Sequence, residues 1–476
     1  MKVIPEADTA MDNEQALIAQ LDALFHPESV AIVGVPRTMK SGRYFLTALL
    51  EQGFPGHIYP VNPETQEIEG LKTYPSVFAI PGSVDLAIVL VPQTLALSVI
   101  QECAIKGVKG AVLFAAGYKE TGREEGKDLE SELVRVAHSS GMRLIGPNAM
   151  GLYAPKAGLS FFPELSRESG SVGVISHSGS LSHILGRTAH RRGIRFSKVV
   201  SLGNECDLNS TDFLTYLGSD PETGLVGCYL EGIKDGPRFL NALRKASLAK
   251  PVVLWKVGLT SEGAKAAASH TGALTGSREI LWEGVVRQGG AVPVVGFEEW
   301  LDALMGFSLL PSFLGDRIAI ISAPGGAAVS AAEACGNEGL RLAALSAQTT
   351  SILANFIPPI GTSLRNPIDL GLMGSLEMEM YIQATLAVAT DPGVDAVLVL
   401  PIGVTPEANR QYTDSMIKAL KDMRKPVVMV NIQGFDPALA QKFCEAGVPF
   451  FESSERAMRT YSKMMRYQLW RQKRES

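Results

Sequence analysis

Three short segments hold residue types that could handle a phosphate. Ser176-His177-Ser178-Gly179-Ser180 follows an apolar run and precedes a helix-like stretch with Leu181, Ile184 and Leu185. Small hydroxyl residues and glycine at such a strand-to-helix turn leave backbone N–H groups free for an anion, and the helix dipole adds to the attraction. A serine nucleophile is a rival reading, but the G-x-S-x-G elbow is not matched because Ser176 stands where its first glycine belongs. A plain serine N-cap is another. Glu231-Gly232 closes the apolar run Leu225–Leu230, which aims the carboxylate at the crevice beyond the strand ends; the alternative is a solvated strand-end acid. His270 lies in the small-residue run Ala266–Leu274, with Ser269, Thr271 and Gly272 around it and a helix-like stretch, Ile280–Val286, after it. An imidazole with open space, acceptors that fix its tautomer and nearby helix starts can attack a phosphoryl group; a structural histidine is the competing reading.

A second set of loops suits a nucleotide-like ligand. The first apolar run ends in Gly34-Val35-Pro36 and continues through Arg37, Lys40 and Ser41 to Gly42, a glycine-containing turn that opens a helix. It is not G-x-G-x-x-G, because Pro36 replaces the second glycine, and no Walker loop is present. Tyr59–Pro63, Val91-Pro92, Ala115–Tyr118 and Gly146-Pro147-Asn148 end the next four runs. Ligands of open parallel sheets sit beyond such carboxyl ends. An NAD-dependent oxidoreductase is disfavoured by Pro36 and by Asn62, with Glu64 just beyond, where an acidic ribose partner would close the second strand.

The elements that must position these loops are legible as short, continuously apolar runs, the pattern of strands buried on both faces. The first third holds Ser29–Val35, His57–Val61, Val84–Val91, Gly110–Ala115 and Met142–Gly146. The second holds Ser171–Ser176, Phe196–Gly203, Leu225–Glu231, Pro251–Val257 and Ala291–Val295. The last holds Arg317–Ser322, Leu340–Leu345, Asp395–Ile402, Pro426–Ile432 and Val448–Phe451. Helix-patterned stretches such as Thr94–Lys106 lie between them. Three βα series fit a chain of 476 residues, with breaks near 155–167 and 307–316. The basic stretch Glu455–Ser476 is expected to dock as a terminal helix through Met464, Met465, Leu469 and Trp470, its basic face solvated, rather than lie on a membrane.

Composition narrows the class. Hydrophobic residues make up 46% and charged residues 20%, as in globular domains. The net charge of −5 argues against nucleic-acid binding. Five scattered cysteines without a C-x-x-C speak against a disulfide framework or a zinc site and fit a reducing cytoplasm. The acidic N-terminal segment lacks the apolar core of a signal peptide, and no apolar run nears the roughly 18 residues of a membrane span.

Taken in order, Gly146–Asn148, Ser176-x-Ser178-Gly179, Ser201-Leu-Gly-Asn204, Glu231-Gly232 and Ser269-His-Thr-Gly-Ala273 resemble the NDP-forming (ADP-forming) acyl-CoA synthetases, a branch of the succinyl-CoA synthetase superfamily. The resemblance runs from about Leu21 to Trp470; Ser322–Gly326 and Asn366–Leu370 look like the family's further CoA-ligase domain. It implies an α/β fold: a Rossmann-like CoA-binding domain over 1–155, then two flavodoxin-like parallel-sheet domains over 156–310, with the phosphohistidine, and 311–476, with the C-terminal helix. Carried over by position, His270 would be phosphorylated and Glu231 would hold its ring. Ser178, Gly179, Ser180, Thr271 and Gly272 would cradle the phosphate. Gly34, Val35, Pro36, Lys40, Ser41, Gly42, Asn62, Pro92, Gly117 and Asn148 would lie along coenzyme A. Two departures stand out: Ala149 follows Gly-Pro-Asn where Cys is frequent, and His177 stands where Gln is common, which makes His177 a rival acceptor.

No lysine-and-acid pattern of an ATP-grasp domain follows Asp316. The resemblance therefore implies an α-type subunit in a hetero-oligomer. Its β-type ATP-grasp partner would carry ADP/ATP and Mg²⁺, and this chain would hold no metal. A small carboxylic acid, CoA and phosphate would be the other reactants. A non-catalytic CoA- or acyl-CoA-binding protein of the same fold is the alternative, though a pure binder needs neither His270 nor Glu231.

Overall fold

The computed structural model describes residues 6–38, 42–271, 279–311, 315–432 and 435–475, with backbone alone for 6–11 and 268–271. In chain order the first third contributes β1 (Ser29–Val33), β2 (His57–Val61), β3 (Glu67–Ile68), β4 (Leu71–Lys72), β5 (Leu86–Val89), β6 (Gly110–Leu113) and β7 (Arg143–Ile145). Every residue of β1, β5 and β6 is buried, as their uninterrupted apolar character predicts. The parallel sheet has the order β2-β1-β5-β6-β7, and β3 and β4 form a separate two-stranded hairpin that the sequence did not suggest. Helices Arg43–Gln52, Gln93–Lys106 and Glu124–Ser139 make the crossovers.

The second series contributes β8 (Gly151–Tyr153), β9 (Ser169–Ser176), β10 (Phe196–Ser201), β11 (Leu225–Leu230), β12 (Val252–Lys256) and β13 (Val292–Pro293), in the order β13-β12-β11-β9-β10-β8. All pairs are parallel except β8, which runs antiparallel along β10. The third contributes β14 (Arg317–Ser322), β15 (Arg341–Leu342), β16 (Ile368–Asp369), β17 (Ala396–Leu400), β18 (Val427–Val430) and β19 (Phe450–Phe451), in the order β15-β14-β17-β18-β19 with β16 also on β14. Leaving out β8 and β16, each sheet has the doubly wound order 2-1-3-4-5, so its switch point lies between its first and third strands. Those points are β1/β5, β9/β11 and β14/β17.

Contacts divide the chain into two compact units. One is Met1–Arg187 with Arg195–Val295, and it holds the first two sheets; the other is Thr188–Ile194 with Gly296–Ser476. Within the second unit the C-terminal helix Ser454–Glu475 docks as expected, but through a different stripe: Ala457, Met458, Tyr461, Met464 and Tyr467 are buried, whereas Leu469 is half-exposed. Arg456 reaches Asp302 and Glu298 from its flank. No helix among the described residues is long and apolar enough to cross a membrane.

Candidate functional site

The first switch point is a tight convergence of backbone. Gly34 has φ +88°, and its N–H donates to Val61 O at 3.0 Å. A Cβ on Gly34 would lie 2.9 Å from Val91 Cγ1 and 3.2 Å from the Val91 nitrogen, so glycine is required for this approach. Asn62 Nδ2 donates to Val35 O at 2.7 Å and its Oδ1 accepts from the Glu64 amide at 2.7 Å. The Asn62 side chain thus braces the loop rather than reaching out of it. Pro92 and Gly42 occupy the N-cap positions of helices Gln93–Lys106 and Arg43–Gln52. Gly117 donates from its amide to Glu120 Oε1 at 2.5 Å. Asn148, with φ +60°, donates to Ala115 O at 3.0 Å. Lys40 and Ser41, assigned to the same ligand by sequence, lie outside the described residues.

The second switch point holds Glu231. The register aligns Ser201 of β10 and Tyr229 of β11 with Ser176 of β9, so these strands end level. Ser176 Oγ donates to Ser178 O at 2.9 Å, which ties it into the turn. Ser178 Oγ accepts from the Leu181 amide at 3.3 Å as the cap of helix Gly179–Ala189, and lies 3.3 Å from Ser180 Oγ. Ser180 is exposed and Gly179 half-buried, so the turn presents its first helical residues outward.

Glu231 is 3% exposed, and Tyr229 Oη donates to its Oε1 at 3.2 Å. Its backbone is gripped from both sides. The N–H donates to His177 Nδ1 at 3.1 Å, and the carbonyl accepts from Lys256 Nζ at 2.9 Å. His177 Nε2 in turn donates to Glu205 Oε1 at 3.1 Å. Burial opposes the charge of Glu205, yet His177 and Lys234 hold its carboxyl below the ordinary value. Burial pushes Lys256 down to about 8, partly offset by the Glu231 charge. Both ring nitrogens of His177 are therefore engaged inside the protein.

A packed junction joins the two switch points. Gly203 has φ +56°, and a Cβ there would fall 2.2 Å from Pro147 O and 2.4 Å from Asn148 O, where no side chain fits. The amides of Asn204 and Cys206 donate to Pro147 O and Gly146 O at 2.9 and 2.8 Å. Asn204 Nδ2 donates to Glu120 Oε2 at 2.5 Å and Glu130 Oε2 at 3.1 Å. Burial pushes the Glu130 carboxyl up despite the hydrogen bond from Asn204. Arg143 clasps Asp207 through Nε (2.9 Å) and Nη2 (2.8 Å) beside it.

His270 and Thr271 end the helix Ser261–Thr271, which packs beside the turn Lys119–Thr121 at this junction. The side chains of both, and Gly272 entirely, lie outside the described residues. Sequence reasoning missed Glu205, Lys256, Glu120 and Glu130. Only Lys256 carried a signal, as a lysine inside an apolar strand.

Residues 28–155 match the family model of a CoA binding domain, and residues 169–307 that of a succinyl-CoA ligase like flavodoxin domain. The chain is 37% identical over 443 residues to the acetate–CoA ligase [ADP-forming] II subunit alpha of Pyrococcus furiosus, covering 91% of this chain and 95% of that one. It is 36% identical over 452 residues to the acetate–CoA ligase [ADP-forming] I of Archaeoglobus fulgidus, covering 94% of this chain but only 64% of that longer protein. Among solved structures it is similar to the Ca. Korarchaeum cryptofilum dinucleotide forming acetyl-coenzyme A synthetase 1 in complex with phosphate and ADP. The TM-score is 0.85 at 33% identity, over 96% of this chain and 99% of that one.

The doubly wound sheets and their loops are those of the succinyl-CoA synthetase superfamily. Within it, the chain belongs to the ADP-forming acyl-CoA synthetase family, in its α-subunit form.

Proposed function

We propose that this chain is the α-type subunit of an NDP-forming acyl-CoA synthetase that interconverts acyl-CoA, phosphate and ADP with acid, CoA and ATP. CoA lies along the first switch point, from Gly34, Val35, Pro36, Lys40, Ser41 and Gly42 to Asn62, Pro92, Gly117 and Asn148. A phosphate oxygen attacks the thioester carbonyl, the C–S bond breaks, and the departing sulfur takes the proton that phosphate loses. An imidazole nitrogen of His270 then attacks phosphorus, the bond to the acyl oxygen breaks, and the carboxylate leaves. The phosphoryl group passes to ADP on a β-type ATP-grasp partner, which supplies Mg²⁺.

Ser178, Gly179, Ser180, Thr271 and Gly272 replace the hydration of the phosphoryl group. Glu231 pairs with the other ring nitrogen. Such an ion pair at 4 Å is worth about 4 kcal/mol at an effective dielectric of 20 and about 1 in water, so the burial of Glu231 favours this role. The observation that carries the reading is the junction of Gly203 and Asn204 against Gly146–Asn148, because it joins the two loop sets within one unit. Relatives named for acetate, 4-hydroxybutyrate and trans-feruloyl-CoA leave the acyl group open. The division of labour follows 1–155 for CoA, 156–310 for phosphoryl transfer and 311–476 as the further ligase domain. The five free thiols suit the reducing cytoplasm we assign.

The test incubates the full chain with labelled phosphate and acetyl-, 4-hydroxybutyryl- or feruloyl-CoA. Acid-labile, base-stable label is expected on the wild type and none on His270→Ala. Glu231→Gln slows labelling with melting unchanged. Persisting label in His270→Ala removes that residue from the role, and no label on the wild type with any acyl-CoA overturns the reading.

A further inference from the structure

His177 is a buried histidine at the second switch point that the chemistry above does not consume. It is 5% exposed, directly follows β9, and lies level with the end of β11. Its own N–H extends the ladder by donating to Tyr229 O at 3.1 Å, and its ring turns back to accept from the Glu231 amide. An Nδ1 that accepts forces the proton onto Nε2, and that proton points at Glu205 Oε1. Glu205 is itself held hard: it is 4% exposed, has φ +56°, and also accepts from the Ser210 amide that opens helix Ser210–Ser219. A non-glycine residue in left-handed backbone persists only where its surroundings fix it.

We infer that His177, backed by Glu205, is a positioning residue that fixes the Glu231 peptide, and so aims the Glu231 carboxylate at the phosphoryl-accepting imidazole. This rests on the role proposed for Glu231. The ring spans the switch point between β9 and β11 and ties the Glu231 amide to the turn after β9. Glutamine is the uncharged side chain that can reproduce both bonds, accepting through Oε1 and donating through Nε2. Leucine can make neither bond, so the pair of variants separates the two hydrogen bonds from mere occupancy of the space.

The experiment measures phosphate labelling from acyl-CoA for wild type, His177→Gln and His177→Leu at pH 8. At pH 8, His177→Gln should stay within about twofold of wild type, and His177→Leu should fall about tenfold, the loss of about 1.4 kcal/mol of alignment, with the acyl-CoA KM unchanged. Nitrogen-15 spectra of histidine-labelled chain read the ring independently of turnover, with the signals missing from His177→Gln assigning it; a protonated Nε2 and an accepting Nδ1 are expected at pH 8. The inference is overturned by an Nδ1–H tautomer, by His177→Leu labelling at the wild-type rate, or by His177→Gln falling as far as His177→Leu. An unlabelled wild type with the expected tautomer strikes at the function proposed above and not at the clamp.

Discussion

Asn204→Asp is a one-atom change with a large consequence that can be worked out beforehand. The amide nitrogen of Asn204 sits between two carboxylates, 3.1 Å from Glu130 Oε2 and 2.5 Å from Glu120 Oε2, with Asn204 only 4% exposed. A carboxylate in its place would face Glu130 across the same gap. Two unit charges 3.1 Å apart repel by about 5 kcal/mol at an effective dielectric of 20. The site can escape by taking up a proton, and at pH 7.5 holding one on an ordinary glutamate costs about 4 kcal/mol, an upper bound for Glu130 because burial already pushes its carboxyl up. The smaller figure sets the limit, and partial exposure of Glu120 lowers it further, to about 2–4 kcal/mol. A carboxyl whose folded pKa is raised contributes stability that is present at low pH and lost as pH rises. The deficit of the variant should therefore shrink by about 1.4 kcal/mol per unit on acidification, to about 1 kcal/mol or less at pH 5.5. Urea unfolding followed by fluorescence of Trp255 and Trp282 at both pH values reads this out. A deficit equal at pH 7.5 and 5.5, or none at pH 7.5, would refute the reasoning.

Two further changes probe the flanks of the site. Gly34→Ala puts a methyl group 2.9 Å from Val91 Cγ1 at φ +88° and should weaken CoA binding about tenfold in titration calorimetry, since left-handed backbone alone costs alanine about 1–2 kcal/mol. Asp207 is held below its ordinary 3.8 by Arg143 and the Leu144 amide against the opposing effect of burial. Its stabilisation is present above pH 4 and lost as pH falls below, so Asp207→Asn should flatten that part of the acid-unfolding curve while costing about 3 kcal/mol at neutral pH through an unpaired Arg143.

The strands that build each switch point were legible because burial on both faces leaves an uninterrupted apolar run. β3, β4, β8 and β16 were not, because no continuous apolar run of the kind read at the equally short β7, β13, β15 and β19 marks them. The Ser176–Ser180 turn and Glu231 could be read from their position after such runs. Glu205, Glu120 and Glu130 could not, because each acquires its meaning from partners far away in the chain, such as His177, 28 residues from Glu205, or Asn204, 84 from Glu120. Asn366 shows the opposite case. Its motif could be singled out as part of the family's further CoA-ligase domain, and its amide ties strands together beside β14, accepting from the Ile320 amide and donating to Ile318 O and Ala343 O.

The antiparallel strand β8 bears on how this chain can be dissected. The stretch matched as a CoA binding domain ends at 155, but Gly151–Tyr153 within it hydrogen-bonds along β10 of the following sheet. A fragment cut at the family border would take away its neighbour's outermost strand and leave Val199–Ser201 as a raw, self-adhesive edge. Recombinant halves that stay monomeric should instead be severed before Gly151, with β8 travelling alongside the sheet it completes.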